Sequence, residues 1–489
     1  MPTKSFDPDF GSALDAAAAI RERKTSSVEL TQHMLRRIDA HDPKLNAYVY
    51  QMRDQALAAA RQADQQLARG EAAGVFHGVP ANVKESFGVA GQPCTWGMPM
   101  FRNAIAAENS VAVRRLLDGA GCVLLGATNV PETLMDGQSF NDIYGTTNNP
   151  WDLSRTPGGS SGGSAASLAA GLAYFSIGSD IGGSIRSPAS FCGVYGHKPT
   201  LDIVPETGQL PGGLMAPVGF STLLAVAGPM ARTAEDLEAG LQVLGGKESP
   251  DAKALRWTLP APRHRELRDF RIGYMLEDPA VPVSTETREV LEHAVRACEK
   301  AGATVKEGWP AVFSFTDLID TYTFLLGAFD FSMKPAHVRP MIREHVLPSR
   351  PAMFAAGALA SFAEWQEQNQ KRIFYRGFWE NYFAREADVF LLPTTFTAAF
   401  QHDHTPPDGR MIPLPEGDRP AQPFWNIVKY IAPATLTGNP ATTAPVGLSR
   451  SGLPVGLQIM APYMEDGTSI EFARLLAREI GGFTPPPGY

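Results

Sequence analysis

Apolar positions recur at helical spacing along the start of the chain. Leu30, Met34, Leu35 and Ile38 follow Ser26 and Glu29, which stand at the spacing of a capping box. Residues 53–68 are rich in Ala and Gln, so the pattern predicts a helical N-terminal section over residues 11–70, packed on something larger. From residue 75 the pattern changes. Val111–Leu117 reads as a helix, Gly119–Gly121 as its stop, and Cys122–Leu125 as a short, wholly apolar strand. A second unit comprises strand Arg271–Met275, helix Glu286–Ala301, stop Gly302 and strand Thr304–Val305. Val389–Leu392 and Pro454–Ile459 read as further buried strands. Apolar strands between amphipathic helices predict an α/β fold whose sheet is covered on both faces.

No internal repeat or long linker divides the chain. At roughly 100–200 residues per domain the length of 489 would allow several domains, but the pattern favours a single one over 1–489. Within it, residues 75–245 carry the most distinctive motifs and 308–430 are the least regular, rich in Phe, Met and Pro. That last segment holds Trp365, Trp379, Trp425 and a polar loop at 401–420, a composition that suits a lid, a substrate-facing insertion or a core cap.

Composition narrows the function. Lys and Arg number 43 against 51 Asp and Glu, a net charge of −8 that argues against a nucleic-acid partner. Hydrophobic residues at 44% suit a large core. The start, MPTKSFDPDF, has no apolar stretch typical of a secretory signal. The long uncharged stretches Thr156–Ser179 and Thr207–Ala231 are broken by Gly, Ser or Pro, so no membrane span is expected. Cys94, Cys122, Cys192 and Cys298 form no CxxC pair, which argues against a disulfide framework or a cysteine zinc site. A cytoplasmic location follows as the expectation. No cofactor motif is found, and His402-Asp403-His404 lacks the third ligand a metal would need.

The most unusual stretch is Thr156–Thr200, TPGGSSGGSAASLAAGLAYFSIGSDIGGSIRSPASFCGVYGHKPT. A flexible Gly/Ser linker would not contain the apolar run Ala165–Ile177. A phosphate loop would require Gly-Lys-Ser/Thr after the glycines, which is absent. Gly158-Gly159-Ser160-Ser161-Gly162 formally matches a nucleophile elbow, yet Asp152–Pro157 before it is polar and ends in Pro, unlike a strand. A fourth alternative joins two serines to an upstream lysine. Ser184 follows Gly182-Gly183, whose backbone amides can converge on one point and form an oxyanion hole beside a hydroxyl. Ser160 lies between two Gly-Gly pairs, and Lys84 follows the largely apolar run Gly78–Val83.

With these motifs the chain resembles the amidase signature family, the Ser–cisSer–Lys hydrolases. The Gly158–Thr200 block, the Lys84 segment, Asn149-Pro150-Trp151, Gly438–Ala441 and Gly452–Gln458 carry the resemblance, which extends from about residue 10 to 480 and is weakest over 245–430. It implies the amidase signature fold, a central mixed β-sheet with helices on both faces. It also implies Ser184 as nucleophile, Ser160 as cis-serine bridge and Lys84 as general base. The oxyanion hole maps to the amides of Ile181, Gly182, Gly183 and Ser184, while Asp180 and Arg186 match residues that brace the loop. Met135, Asp136 and Gly137 align with the stretch that lines the acyl site, and Asp136 is expected either to meet a polar group of the substrate or to be a solvated or helix-capping aspartate.

Such a lysine acts as a base only when neutral, and burial lowers its pKa from the usual value of about 10.4. An amide-bond hydrolase acting on aryl or aliphatic amides, with carbamates (urethanes) and esters as further substrates, is the first function these residues imply. Its partner would be the small-molecule substrate alone, acted on by a monomer or homodimer. One alternative is the A-type component of a glutamyl-tRNA amidotransferase complex, although Leu318–Met333 and Gln366–Phe378 lack the Tyr-Tyr-x-x-Ala and Val-Arg pattern associated with it. Another is a Ser–His–Asp esterase built on Ser160.

Overall fold

The helix–Gly–strand units assemble around one mixed sheet of eleven strands. The computed structural model describes residues 6–213, 221–248, 250–334, 336–415 and 419–489. Across the sheet the strands run Tyr48–Gln51, Val123–Thr128, Pro80–Lys84, Phe175–Asp180, Val226–Ala231, Tyr195–Lys198, Ala441–Leu448, Pro454–Met460, Val389–Pro393, Arg271–Tyr274 and Thr304–Glu307. Pro80–Lys84 is parallel to both its neighbours, and so is Arg271–Tyr274. The strands between these two groups pair antiparallel.

Period-two burial shows how both faces are used. Val389 and Leu391 belong to the larger apolar core, whereas Phe390 and Leu392 belong to a second core on the opposite side. The larger core also takes the apolar faces of helices Ser27–Leu45, Ala234–Leu244, Thr285–Lys300 and Asp466–Ile480. The second is aromatic, built around Trp379, Phe390 and Tyr382. A third, smaller core lies under helix Phe315–Ser332 and includes Leu318, Tyr322, Leu325 and Phe354.

One element differs from the pattern expected. The N-terminal section contains the helices Ala13–Arg21, Ser27–Leu45 and Arg53–Ala68, but Tyr48–Gln51 between the last two is an edge strand of the main sheet. Four residues without a flanking turn signal give too little periodicity to reveal a strand. Residues 308–430 join the same core, and the buried strand read at Val389–Leu392 is present. They contribute the helices Phe315–Ser332, Ala352–Ala358 and Phe362–Arg385 and then the interior strand Val389–Pro393. Among the described residues no helix is long and apolar enough to cross a membrane.

Candidate active site

Strand register brings the lysine to the serines. Ala81, Asn82 and Val83 pair with Phe175, Ser176 and Ile177, so Lys84 ends its strand beside the end of Phe175–Asp180. Ser160 lies in the turn before helix Gly162–Ala169, and the Gly159–Ser160 peptide bond is cis. Gly159 is required by close approach, because a Cβ there would sit 2.4 Å from the carbonyl oxygen of Asp136.

Lys84 is wholly buried, with Nζ 2.7 Å from Ser160 Oγ and 2.9 Å from Ser179 Oγ. Burial pushes the amine down from 10.5 to about 7, opposed only in part by the charge of Asp180. In its neutral form the amine is an acceptor, and the Ser160 hydroxyl can donate to it.

Ser160 and Ser184 line one cavity of about 330 Å³. The Ser161 amide donates to the Ser184 carbonyl at 3.1 Å and ties the two serine segments together. No hydrogen bond joins the side chains of Ser160 and Ser184 among the described residues. Ser184 also borders a smaller cavity of about 40 Å³ lined by Met135, Asp136, Gly137, Gly159, Ile181 and Gly182, among others.

The loop before Ser184 is held by a buried ion pair. Arg186 donates to Asp180 through Nε at 3.0 Å and Nη2 at 2.7 Å. The remaining guanidinium donors reach the Ile431 carbonyl at 2.9 Å, Gln458 Oε1 at 2.5 Å and Thr435 Oγ1 at 2.7 Å. Asp180 also accepts the amides of Gly183, Ile185 and Arg186; against the effect of burial, the charge and hydrogen bonds of Arg186, with the Ile185 amide, hold its carboxylate down to about 2. The Gly183 amide is thus committed to Asp180 and is not free for an oxyanion, unlike the four-amide set expected from sequence. The amides of Gly182 and Ser184 donate to no group among the described residues. No sequence signal pointed to Tyr322, whose hydroxyl donates to the Ile181 carbonyl at 2.9 Å from helix Phe315–Ser332. Its periodicity is that of any core aromatic.

Comparison with known proteins places this arrangement. The family profile described as amidase matches residues 29–469. The chain belongs to the amidase signature family. The A component of the glutamyl-tRNA(Gln) amidotransferase of Acidothermus cellulolyticus is 35% identical over 475 residues, covering 93% of this chain and 91% of that protein. Among solved structures, a bacterial aryl acylamidase of the amidase signature enzymes superposes with a TM-score of 0.80 at 25% identity over 97% of each chain. An inhibitor-bound structure described as a vestigial complex that reveals the origins of an s-triazine catabolic enzyme also gives 0.80, at 26% identity over 97% of this chain and 99% of that one.

In this amidase signature protein Asp136 is not a solvated aspartate: it borders the smaller cavity, and its side chain is nearly buried. Its carboxylate is bound at both oxygens by Arg410, with each contact at 2.9 Å, and Arg410 is fully buried at its side chain. Arg410 comes from the polar 401–420 loop and also lies over the Phe424 ring, 4.6 Å from its centre. No sequence pattern links residues so far apart. Met135, Asp136 and Gly137 all stand on the wall of the smaller cavity. The histidines have local partners: His402 meets Asn148 at 3.0 Å, His404 stacks on Phe140, and His197 bonds Thr442 and Asp466.

Proposed function

We propose that the chain cleaves carboxylic amide C–N bonds through an acyl-serine intermediate, with Ser184 as nucleophile, Ser160 as proton bridge and Lys84 as general base. The observation that carries this is the buried Lys84 amine, lowered to about 7 and bonded at 2.7 Å to Ser160, which shares a cavity with Ser184. In the first half-reaction Ser184 Oγ attacks the carbonyl carbon while its proton passes by Ser160 to Lys84. The amides of Ile181, Gly182 and Ser184 hold the oxyanion, while the Gly183 amide holds Asp180 and so fixes the loop. The C–N bond breaks as Lys84 returns the proton to the departing amine. Water then repeats the sequence on the acyl ester and releases the acid. Asp180 and Arg186 fix the loop and take no proton.

Apolar walls, including Met98, Phe101, Leu134, Met135, Leu326 and Phe329, favour an aryl or aliphatic group in the larger cavity. Carbamates present the same carbonyl and amine and belong to the proposed range. We assign this chemistry to a single domain in the cytoplasm, with residues 308–430 as its variable substrate-facing or lid region.

A second function has specific support. The curated relatives are named as the A component of glutamyl-tRNA(Gln) amidotransferase, which weighs toward a partner-dependent component more than toward a free-standing hydrolase. Both use the same hydrolytic chemistry, and the apolar cavity favours the free enzyme. Purified chain assayed alone on aryl-amide, primary-amide and carbamate panels separates them. Turnover without any partner is expected; none on any panel, with glutamine hydrolysed only after partner proteins are added, would favour the partner-dependent component. A Ser–His–Asp esterase has no support, since no histidine bonds Ser160 among the described residues.

A further inference from the structure

Two consecutive peptide groups run from Ile181 to Gly183 just ahead of Ser184, and each is fixed at one end. The second is tied through its N–H, since the Gly183 amide donates to Asp180 at 3.0 Å. The first is tied through its C=O, since the Ile181 carbonyl accepts the Tyr322 hydroxyl at 2.9 Å. Tyr322 is fully buried, so its hydroxyl must find a partner, and the partner it has is this loop. The Ile181–Gly182 bond is trans, so its C=O and N–H point in opposite directions. Holding the oxygen on Tyr322 therefore turns the Gly182 N–H to the other side. That amide donates to no group among the described residues, and Gly182 borders the smaller cavity together with Ser184. With no side chain on Gly182 or Gly183, an unanchored peptide here would turn easily. One helical turn beyond Tyr322, Leu326 borders both cavities. The wall beside the substrate and the anchor of the loop thus belong to one helix, Phe315–Ser332.

We propose that Tyr322 is a positioning residue for amide hydrolysis, which sets the plane of the Ile181–Gly182 peptide so that the Gly182 amide meets the oxyanion formed when Ser184 attacks. This rests on the hydrolase function proposed above. Tyr322 lines neither cavity and acts through the peptide alone. Two effects add. The peptide stands in the required plane before the substrate arrives, so it need not reorganise as charge develops. A carbonyl that accepts a hydrogen bond also polarises the N–H of its own peptide, which then donates more strongly. Both effects favour the transition state, whose oxygen carries charge, over the neutral carbonyl of the bound substrate. Loss of the hydroxyl should therefore lower kcat and leave KM nearly as it was.

Tyr322→Phe tests this, because it keeps the ring and its packing and removes only the donor. On an aryl amide kcat should fall about tenfold to a hundredfold, less than the outright loss of an oxyanion donor, with KM within about twofold. A trifluoromethyl ketone of the same shape gives a second reading. Ser184 Oγ bonds to its carbonyl carbon, the serine proton passes by Ser160 to Lys84, and the carbonyl oxygen becomes an oxyanion. Its affinity should fall in step with kcat/KM. The parent amide should bind equally well, by calorimetry, to Ser184→Ala and to Ser184→Ala combined with Tyr322→Phe. A tyrosine that only fills the core would lower the unfolding midpoint and leave kcat and ketone affinity unchanged; that result, or a raised KM at unchanged kcat, would overturn the proposal. The two ideas fail separately. If the wild type cleaves no amide, the hydrolase function fails, yet weaker ketone binding by Tyr322→Phe would still support the positioning role. Equal ketone affinity in both proteins, or no binding to the wild type, would refute it.

Discussion

At the residue scale the central quantity is the charge on one amine. Below about pH 7 Lys84 is protonated and has no lone pair for the serine proton. The rate kcat/KM should therefore fall about tenfold per pH unit on the acid side and level off above neutrality, as read from a pH profile on a neutral amide. Lys84→Ala should lower amide turnover by about 10²–10⁴, and Ser184→Ala should remove it while circular dichroism stays native. Appreciable hydrolysis by Ser184→Ala would refute the nucleophile. The same amine affects stability. Its folded value of about 7 lies below the ordinary 10.5, so the unfolded chain binds the extra proton between the two and stability rises with pH across that window. At pH 7 the cost is about 4 kcal/mol, and the bonds to Ser160 and Ser179 offset about 1 kcal/mol each. Lys84→Met should thus stabilise the chain by about 2 kcal/mol at pH 7 and bring no gain near pH 10, measured by denaturant unfolding at both. Ser160 and Ser184 drew notice through the glycine pairs around them, whereas Lys84, at the end of a largely apolar run, was singled out only by the resemblance to the family. The pairing of Asp136 with Arg410 was not legible, because only the folded chain brings loops 274 positions apart into contact.

At the element scale that pair joins the 135–138 loop to the 401–412 loop. Breaking a buried ion pair on one side leaves an uncompensated charge and costs about 3–5 kcal/mol. Asp136→Ala should show that loss in denaturant unfolding, and Asp136→Leu combined with Arg410→Met should recover most of it. A double-mutant cycle with no coupling would show that the loops are held independently. The recovered variant should remain slower on amides, because Gly159 is seated against the Asp136 carbonyl and follows any shift of that loop. Helix Ser27–Leu45 was readable because a capping serine and a regular apolar stripe agree, and Thr285–Lys300 because its stop at Gly302 separates it from the next strand. Helix Gly162–Ala169 starts in Gly-Gly against its local propensity, and complete burial supplies what propensity does not.

For the whole molecule, one sheet carries strands from Tyr48–Gln51 to Pro454–Met460, interleaved so that early and late segments are neighbours. Loss of activity and loss of helical signal on heating should therefore coincide in one transition; two separated transitions would show that the chain is divided after all. The α/β class could be read from apolar strands set between helices. The order of strands could not, since periodicity says nothing about which edge a strand joins.

Arg186 sits two residues after Ser184, but its outer donors end on Ile431, Thr435 and Gln458. While the chain is being made, Lys84, Ser160 and Ser184 all emerge long before those anchors exist. A nascent or clipped product ending ahead of residue 431 would carry both serines and the lysine but none of the outer partners that hold Arg186, so the loop between Asp180 and Arg186 takes its final form only once the last quarter of the chain is in place.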